Sequence, residues 1–118
     1  MILADTSVWI DHLARGNARL KELLQAASVT CHPFIVGELA CGTLRNRAEV
    51  LALLGVLPAA RVASHDETLL FLETHRLMGK GLGYVDLHLL AAAMMDRTPL
   101  WTLDRRLAAA AARLGIAA

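Results

Sequence analysis

The chain has 118 residues, 56% of them apolar and only 4% aromatic, with twelve basic and eleven acidic side chains and a net charge of +1. That length suits a single domain, 1–118, with a core built from Ala, Leu, Val and Ile. The charge balance excludes a global polyanion-binding surface, so a nucleic-acid site has to be local; with no apolar run near the roughly eighteen residues of a membrane span and no leader segment, the expectation is no membrane partner and a cytoplasmic location.

Met1 to Ala4 is an apolar run that predicts a buried strand, and it ends in a carboxylate, Asp5, followed by two hydroxyls, Thr6 and Ser7. Val8, Trp9, Ile10 and Leu13 continue at helical spacing. A strand that passes into a helix through an acid places that acid at the carboxyl edge of a sheet, where ligands of open α/β sheets bind. The same residues would also serve as a plain helix cap. Gly16 and Asn17 break the pattern, and Leu20, Leu23, Leu24 and Ala27 mark a second helix. Residues 28–31 predict a short strand. Pro33 suits the first turn of a helix over about 33–44 that carries Glu38 within FIVGELACG. A further helix is expected over 48–57, stopped near Pro58, and a short strand over 61–63.

Ser64 followed by Glu67 forms a capping box that opens a helix through Leu69, Leu70, Leu72 and Leu77. Glycines 79, 81 and 83 end it in a loop. A strongly apolar helix, DLHLLAAAMM, follows from Val85 to about Asp96. The run PLWTL, 99–103, predicts a strand that again ends in an acid, Asp104. An Ala-rich helix over 105–114 is capped by Gly115, and with three residues after it a last edge strand at 116–118 is expected to be short. Strands alternating with helices imply an α/β fold, a parallel sheet covered by helices on both faces.

The eleven acids separate by setting. Glu22, Glu49 and Glu73 lie among polar helix neighbours, Asp66 and Glu67 suit the dipole of a helix start, Asp96 sits beside Arg97, and Asp11 is expected on the solvent side. Asp5, Glu38, Asp86 and Asp104 differ, because each interrupts an apolar stretch: ILAD, FIVGELAC, YVDLHLL and LWTLD. Buried carboxylates are paired, protonated or bound to metal, and no Lys or Arg lies inside these stretches. Hard oxygen donors without His or Cys favour Mg²⁺ or Mn²⁺ over zinc.

His12, His32, His65, His75 and His88 are scattered without ligand spacing, and His88 is expected to be a packed residue or a support for a neighbouring carboxylate, not a base. Cys31 and Cys41 make no C-x-x-C pair and are expected as buried small hydrophobes. No P-loop, dinucleotide fingerprint or nucleophile elbow is present. A mean hydropathy of +0.46 fits either apolar surface covered by a partner, the preferred reading, or Ala-rich helices packed inside; 20–27 and 48–57 are the candidate partner faces and would equally serve as core. Ten of the twelve cations are Arg; Arg45, Arg47, Arg105 and Arg106 lie near the selected acids in sequence and are candidate phosphate contacts. Two other readings remain open on residues alone. One is a different metal-dependent phosphoryl enzyme, although an aspartyl-nucleophile phosphatase would want D-x-D where this chain has D-T-S. The other is a non-catalytic binding or regulatory partner.

ILADTSVWIDHL, GELACG, GYVDLHLLAAA and LWTLDRRL, in this order, resemble the PIN-domain ribonucleases, and among them the VapC toxins of bacterial toxin–antitoxin pairs. The likeness covers essentially the whole chain. It implies a three-layer α/β/α domain with a short, mainly parallel sheet of four to five strands. It implies a Mg²⁺- or Mn²⁺-dependent endoribonuclease that leaves a 5′-phosphate and a 3′-hydroxyl, a homodimer, and inhibition by a cognate VapB-type antitoxin. Asp5, Glu38, Asp86 and Asp104 fall on the family's acidic quartet, where they would hold metal and carry catalysis. Thr6 or Ser7 match the hydroxyl beside the first acid, and Thr102 the one before the last.

Overall fold

The computed structural model describes residues 1–118. Its centre is a parallel sheet of three strands in the order β2-β1-β3: β1 is Ile2–Ala4, β2 Val29–Thr30 and β3 Leu100–Trp101. Ile2 and Leu3 pair with Val29 and Thr30, while Leu3 and Ala4 pair with Leu100 and Trp101. From β1 the chain passes through α1 (Thr6–Arg15) and α2 (Ala18–Gln25) to β2 on one side. It then runs through α3 (Pro33–Cys41), α4 (Arg47–Val56), α5 (His65–Thr74) and α6 (Tyr84–Asp96) to β3 on the other side, before α7 (Arg105–Arg113). Right-handed crossovers in opposite directions place their helices on opposite faces. The strand order therefore reverses between β1 and β3, and a crevice opens beyond their carboxyl ends.

The sheet is smaller than the four to five strands expected. Each outer position is a single parallel bridge, Cys31 to Ala59 and Leu100 to Ala117. The segment expected as a strand at 61–63 does not pair, because the Arg61 N–H is taken by the Asp96 carboxylate at 3.0 Å. The ladder partner of Cys31 lies earlier, through the Pro58 carbonyl and the Ala60 N–H. At the other edge the Leu100 N–H donates to Ile116 O, and the Ala118 N–H donates to Leu100 O.

The Ser64–Glu67 capping box is present, but α5 stops at Thr74, short of Leu77. Arg76 adopts a left-handed φ of 53°, its N–H bonds to Glu73 O and the Leu77 N–H to Leu72 O. This is a Schellman stop with arginine where glycine is usual, so the sequence carries no mark of it. Leu77 is buried beyond the helix. Within α6 the seven residues Leu87–Ala93 are all buried, the mark of a helix enclosed on every side. Leu3, Ala4, Val8, Trp9, Ile35, Leu89, Leu90, Leu100 and Leu107 join it in one core. Cys31 is buried as expected, whereas Cys41, at the end of α3, is exposed. No helix is long and apolar enough to cross a membrane.

Candidate active site

Asp5 ends β1, where its backbone N–H still belongs to the sheet through Trp101 O. Its side chain turns to the start of α1 and is buried, 7% exposed. One carboxylate oxygen accepts the Thr6 N–H at 2.6 Å; the other accepts Ser7 Oγ at 2.9 Å and Thr102 Oγ1 at 2.6 Å. Each hydroxyl has one proton, so with both given to Asp5 their mutual approach of 3.2 Å is a shared convergence and not a third bond. Their lone pairs are used as well, since Ser7 Oγ accepts the Leu103 N–H and Thr102 Oγ1 the Asp104 N–H, each at 3.0 Å. The hydroxyls therefore lock the end of β1 to the β3–α7 turn.

Asp104 caps α7, accepting the Leu107 N–H at 3.0 Å. Asp86, in the first turn of α6, reaches back to the Gly83 N–H at 2.9 Å. Three helices thus begin at acids of this crevice, and the partial positive charge of their N-termini offsets part of the negative charge. Glu38 comes from α3 as an exposed side chain, and its Oε1 accepts Thr6 Oγ1 at 2.7 Å. Thr6 and Ser7 therefore divide the work: Ser7 holds Asp5 and Thr6 holds Glu38.

Mutual influence among the four acids is visible at Asp86. Burial pushes its carboxyl above the ordinary value of 3.8, and the charges of Asp5, Asp104 and Glu38 push it further, against the opposing Gly83 N–H bond. No cation neutralises the group, because the chain's two ion pairs are Arg15–Asp11 and Arg61–Asp96. An all-oxygen donor set with uncompensated charge fits a hard divalent cation. The spacing is not that of a closed ligand cage: no three His, Cys, Asp or Glu side chains stand close enough together to form one.

The candidate arginines differ in setting. Arg47 uses its guanidinium on Ala40 O at 2.7 Å and Gly42 O at 3.3 Å, closing the end of α3. Arg45 lines an open groove of about 840 Å³ between α1, α3 and α4, whose wall includes Glu38. Of the two candidate partner faces, the α4 segment reaches this groove through Val50, and α2 does not contribute. Arg105 and Arg106 are exposed in the first turn of α7, a position where acids and not cations suit the helix dipole.

The histidines serve structure. His32 caps α3, its Nδ1 accepting the Phe34 N–H at 3.0 Å, which leaves its buried Nε2 without a partner. Burial and the neighbouring His88 push its pKa down to about 4, against a smaller opposing pull from Asp96. His88 is buried against Phe34, Tyr84 and Thr68. Sequence reasoning missed the Thr6–Glu38 link and the Leu103 N–H on Ser7. These join residues 32 and 96 positions apart, which no local pattern signals.

Residues 2–113 match the PIN domain family model. The chain is 48% identical over 118 residues to Ribonuclease VapC32 of two Mycobacterium tuberculosis strains, CDC 1551 / Oshkosh and H37Rv, covering 99% of this chain and 95% of each relative. Its fold is similar to the crystal structure of PAE2754 from Pyrobaculum aerophilum, with a TM-score of 0.66 at 16% identity over 92% of this chain and 83% of that one. A family match over almost the full length and this degree of identity show that the chain belongs to the PIN-domain family, in its VapC branch.

Proposed function

We propose that this chain is a metal-dependent endoribonuclease, the toxin of a toxin–antitoxin pair, which hydrolyses RNA phosphodiester bonds. The observation that carries the reading is the hydroxyl network that ties Asp5 through Thr102 to the Asp104 N–H and, through the neighbouring Thr6, to Glu38, with the charges of these acids pushing up the Asp86 carboxyl after burial. Asp5, Asp86 and Asp104 would hold Mg²⁺ or Mn²⁺, with Glu38 available to a second ion. Such an ion would supply Lewis-acid polarisation of the phosphoryl group and lower the pKa of a water. Glu38, exposed and fixed on one oxygen by Thr6, orients the attacking water and accepts its proton through the other. Ser7 and Thr102 keep Asp5 in place. Arg105, Arg106 and Arg45 give phosphate contacts; Arg47 contributes by holding the end of α3 beside Glu38.

A VapB-type antitoxin is the proposed protein partner, supported by the open groove that runs from Ile10 and Leu13 to Glu38. A homodimer is the proposed assembly, supported by exposed apolar side chains at Val62, Leu69, Leu70 and Met95. The test is cleavage of a structured RNA pool in Mg²⁺ or Mn²⁺, with EDTA and Asp5→Asn as controls. Metal-dependent cuts lost in both controls are expected. Absence of cleavage by folded, antitoxin-free protein would overturn the reading.

A further inference from the structure

The loop between α5 and α6 leads into the Gly83 N–H that Asp86 holds, and Gly81 within it has a left-handed φ of 76°. A β-carbon there would lie 2.6 Å from Cδ and 2.7 Å from Nη1 of Arg106, so the arginine lies directly on the loop backbone. Arg106 reaches this place from α7, two residues beyond Asp104, while Gly81 stands two residues before Gly83, the residue that Asp86 caps. The side chain thus spans the gap between the helix starts that carry Asp86 and Asp104. Its guanidinium takes no part in either ion pair and makes no protein hydrogen bond. Guanidinium groups present forked donors that match phosphate oxygens, and a seated one loses less freedom on binding.

We infer that Gly81 is the seat of Arg106, and that Arg106, held there, binds a phosphodiester oxygen of the RNA next to the scissile group. The inference rests on the ribonuclease reading above. It separates Arg106 from Arg105, which has no such seat, and it gives Gly81 a role beyond turn geometry. An alanine at 81 pushes away the far end of the Arg106 side chain and, at a φ of 76°, also strains the loop backbone, so its effect has a part that depends on Arg106 and a part that does not.

Cleavage of a structured RNA pool in Mg²⁺ is followed for Arg106→Gln, with Arg97→Gln as control. Arg97 is an unpaired surface arginine at the far end of α6. At limiting RNA, Arg106→Gln is expected to cut about tenfold more slowly, the size of one charge-assisted hydrogen bond. At saturating RNA the rate is expected to recover. Between about 50 and 200 mM salt its log–log slope is expected to be shallower by about 0.7, one phosphate contact on a single strand. Gly81→Ala is expected to reproduce this behaviour. In an Arg106→Ala background the strain at 81 remains but the obstructing atoms are gone, so Gly81→Ala should slow cleavage clearly less than in wild type and leave the salt slope unchanged.

Equal rates and salt slopes for Arg106→Gln and Arg97→Gln, in a wild-type protein that cleaves, would overturn the inference and leave the ribonuclease reading standing. An equal Gly81→Ala effect in both backgrounds would overturn the seat. A wild-type protein that cleaves no RNA would overturn the reading and the inference with it. Melting curves of all variants keep loss of fold separate from loss of binding.

Discussion

Thr102→Val keeps the outline of the side chain and removes one hydroxyl that holds two parts of the site together. The wild-type hydroxyl donates to Asp5 at 2.6 Å and accepts the Asp104 N–H at 3.0 Å. A hydrogen bond to a charged group contributes about 1.5–3 kcal/mol. In the variant, Asp5 keeps Ser7 at 2.9 Å and the exposed Asp104 N–H is solvated, so the lower part of the range, about 2 kcal/mol, is expected. At about 2.1 cal/mol/K per residue, a chain of 118 residues loses about 0.25 kcal/mol per degree near its midpoint, so the melting temperature should fall by about 8 °C. RNA cleavage in Mg²⁺ should fall about 10–100-fold, the usual cost of freeing a metal-binding carboxylate from its orienting partner. Thr102→Ser restores the hydroxyl and should recover most of both. Scanning calorimetry and cleavage rates on the three proteins decide the matter. A Thr102→Val protein with wild-type melting temperature and wild-type rate would refute the idea that this hydroxyl holds Asp5.

Other consequences follow from the same geometry. Asp86 has a folded-state pKa above its ordinary value of 3.8, so the native state binds that proton more tightly than the unfolded chain; its contribution to stability is lost as pH rises through the folded value. Asp86→Asn, which retains an acceptor for the Gly83 N–H, should therefore melt higher than wild type at pH 7 without metal while cleaving no RNA; a lower melting temperature would count against the charge argument. Millimolar Mg²⁺ or Mn²⁺ should raise the wild-type melting temperature at pH 7, by about 2.7 kcal/mol of stability at a hundredfold excess over Kd. An unchanged melting curve would remove the four acids as a shared cation site. His32 works in the opposite sense from Asp86. Its pKa is lowered from 6.5 to about 4, so the stability it contributes is present above 6.5 and lost as pH falls toward 4. His32→Asn keeps a good helix cap and should flatten denaturation midpoints across that interval, and an unaltered slope would show that another group titrates there. Ser64→Ala removes both the Ser64 acceptor at 3.0 Å from the Glu67 N–H and the fixed geometry of the return bond. It should cost about 1 kcal/mol in urea denaturation, and no loss would mean that α5 depends on packing alone.

Asp5, Glu38, Asp86 and Asp104 were legible as a group because each places a charge inside an apolar run, but the burial this suggested holds only for Asp5; Asp86 is half-buried, and Glu38 and Asp104 are exposed at the crevice. Strand and helix order were legible for a similar reason: Met1–Ala4 and 99–103 are short apolar runs, and DLHLLAAAMM is too long and apolar for a strand. The capping box at Ser64 and Glu67 is local chemistry and needs no tertiary context. The extent of the sheet was not legible, since whether 61–63 pairs depends on Asp96, 35 residues away, taking the Arg61 N–H. The end of α5 was hidden because Arg76 occupies a left-handed position that sequence habit assigns to glycine. Nor could spacing show that Thr6 serves Glu38 and Ser7 serves Asp5, that Arg47 closes α3, or that Arg106 lies on Gly81. Sequence alone determines which charges interrupt apolar runs, because that contrast belongs to the residue and its chain neighbours. Only the folded chain decides which group each of them meets, because hydrogen bonds and close approaches act over a few ångströms in space whatever the distance along the chain.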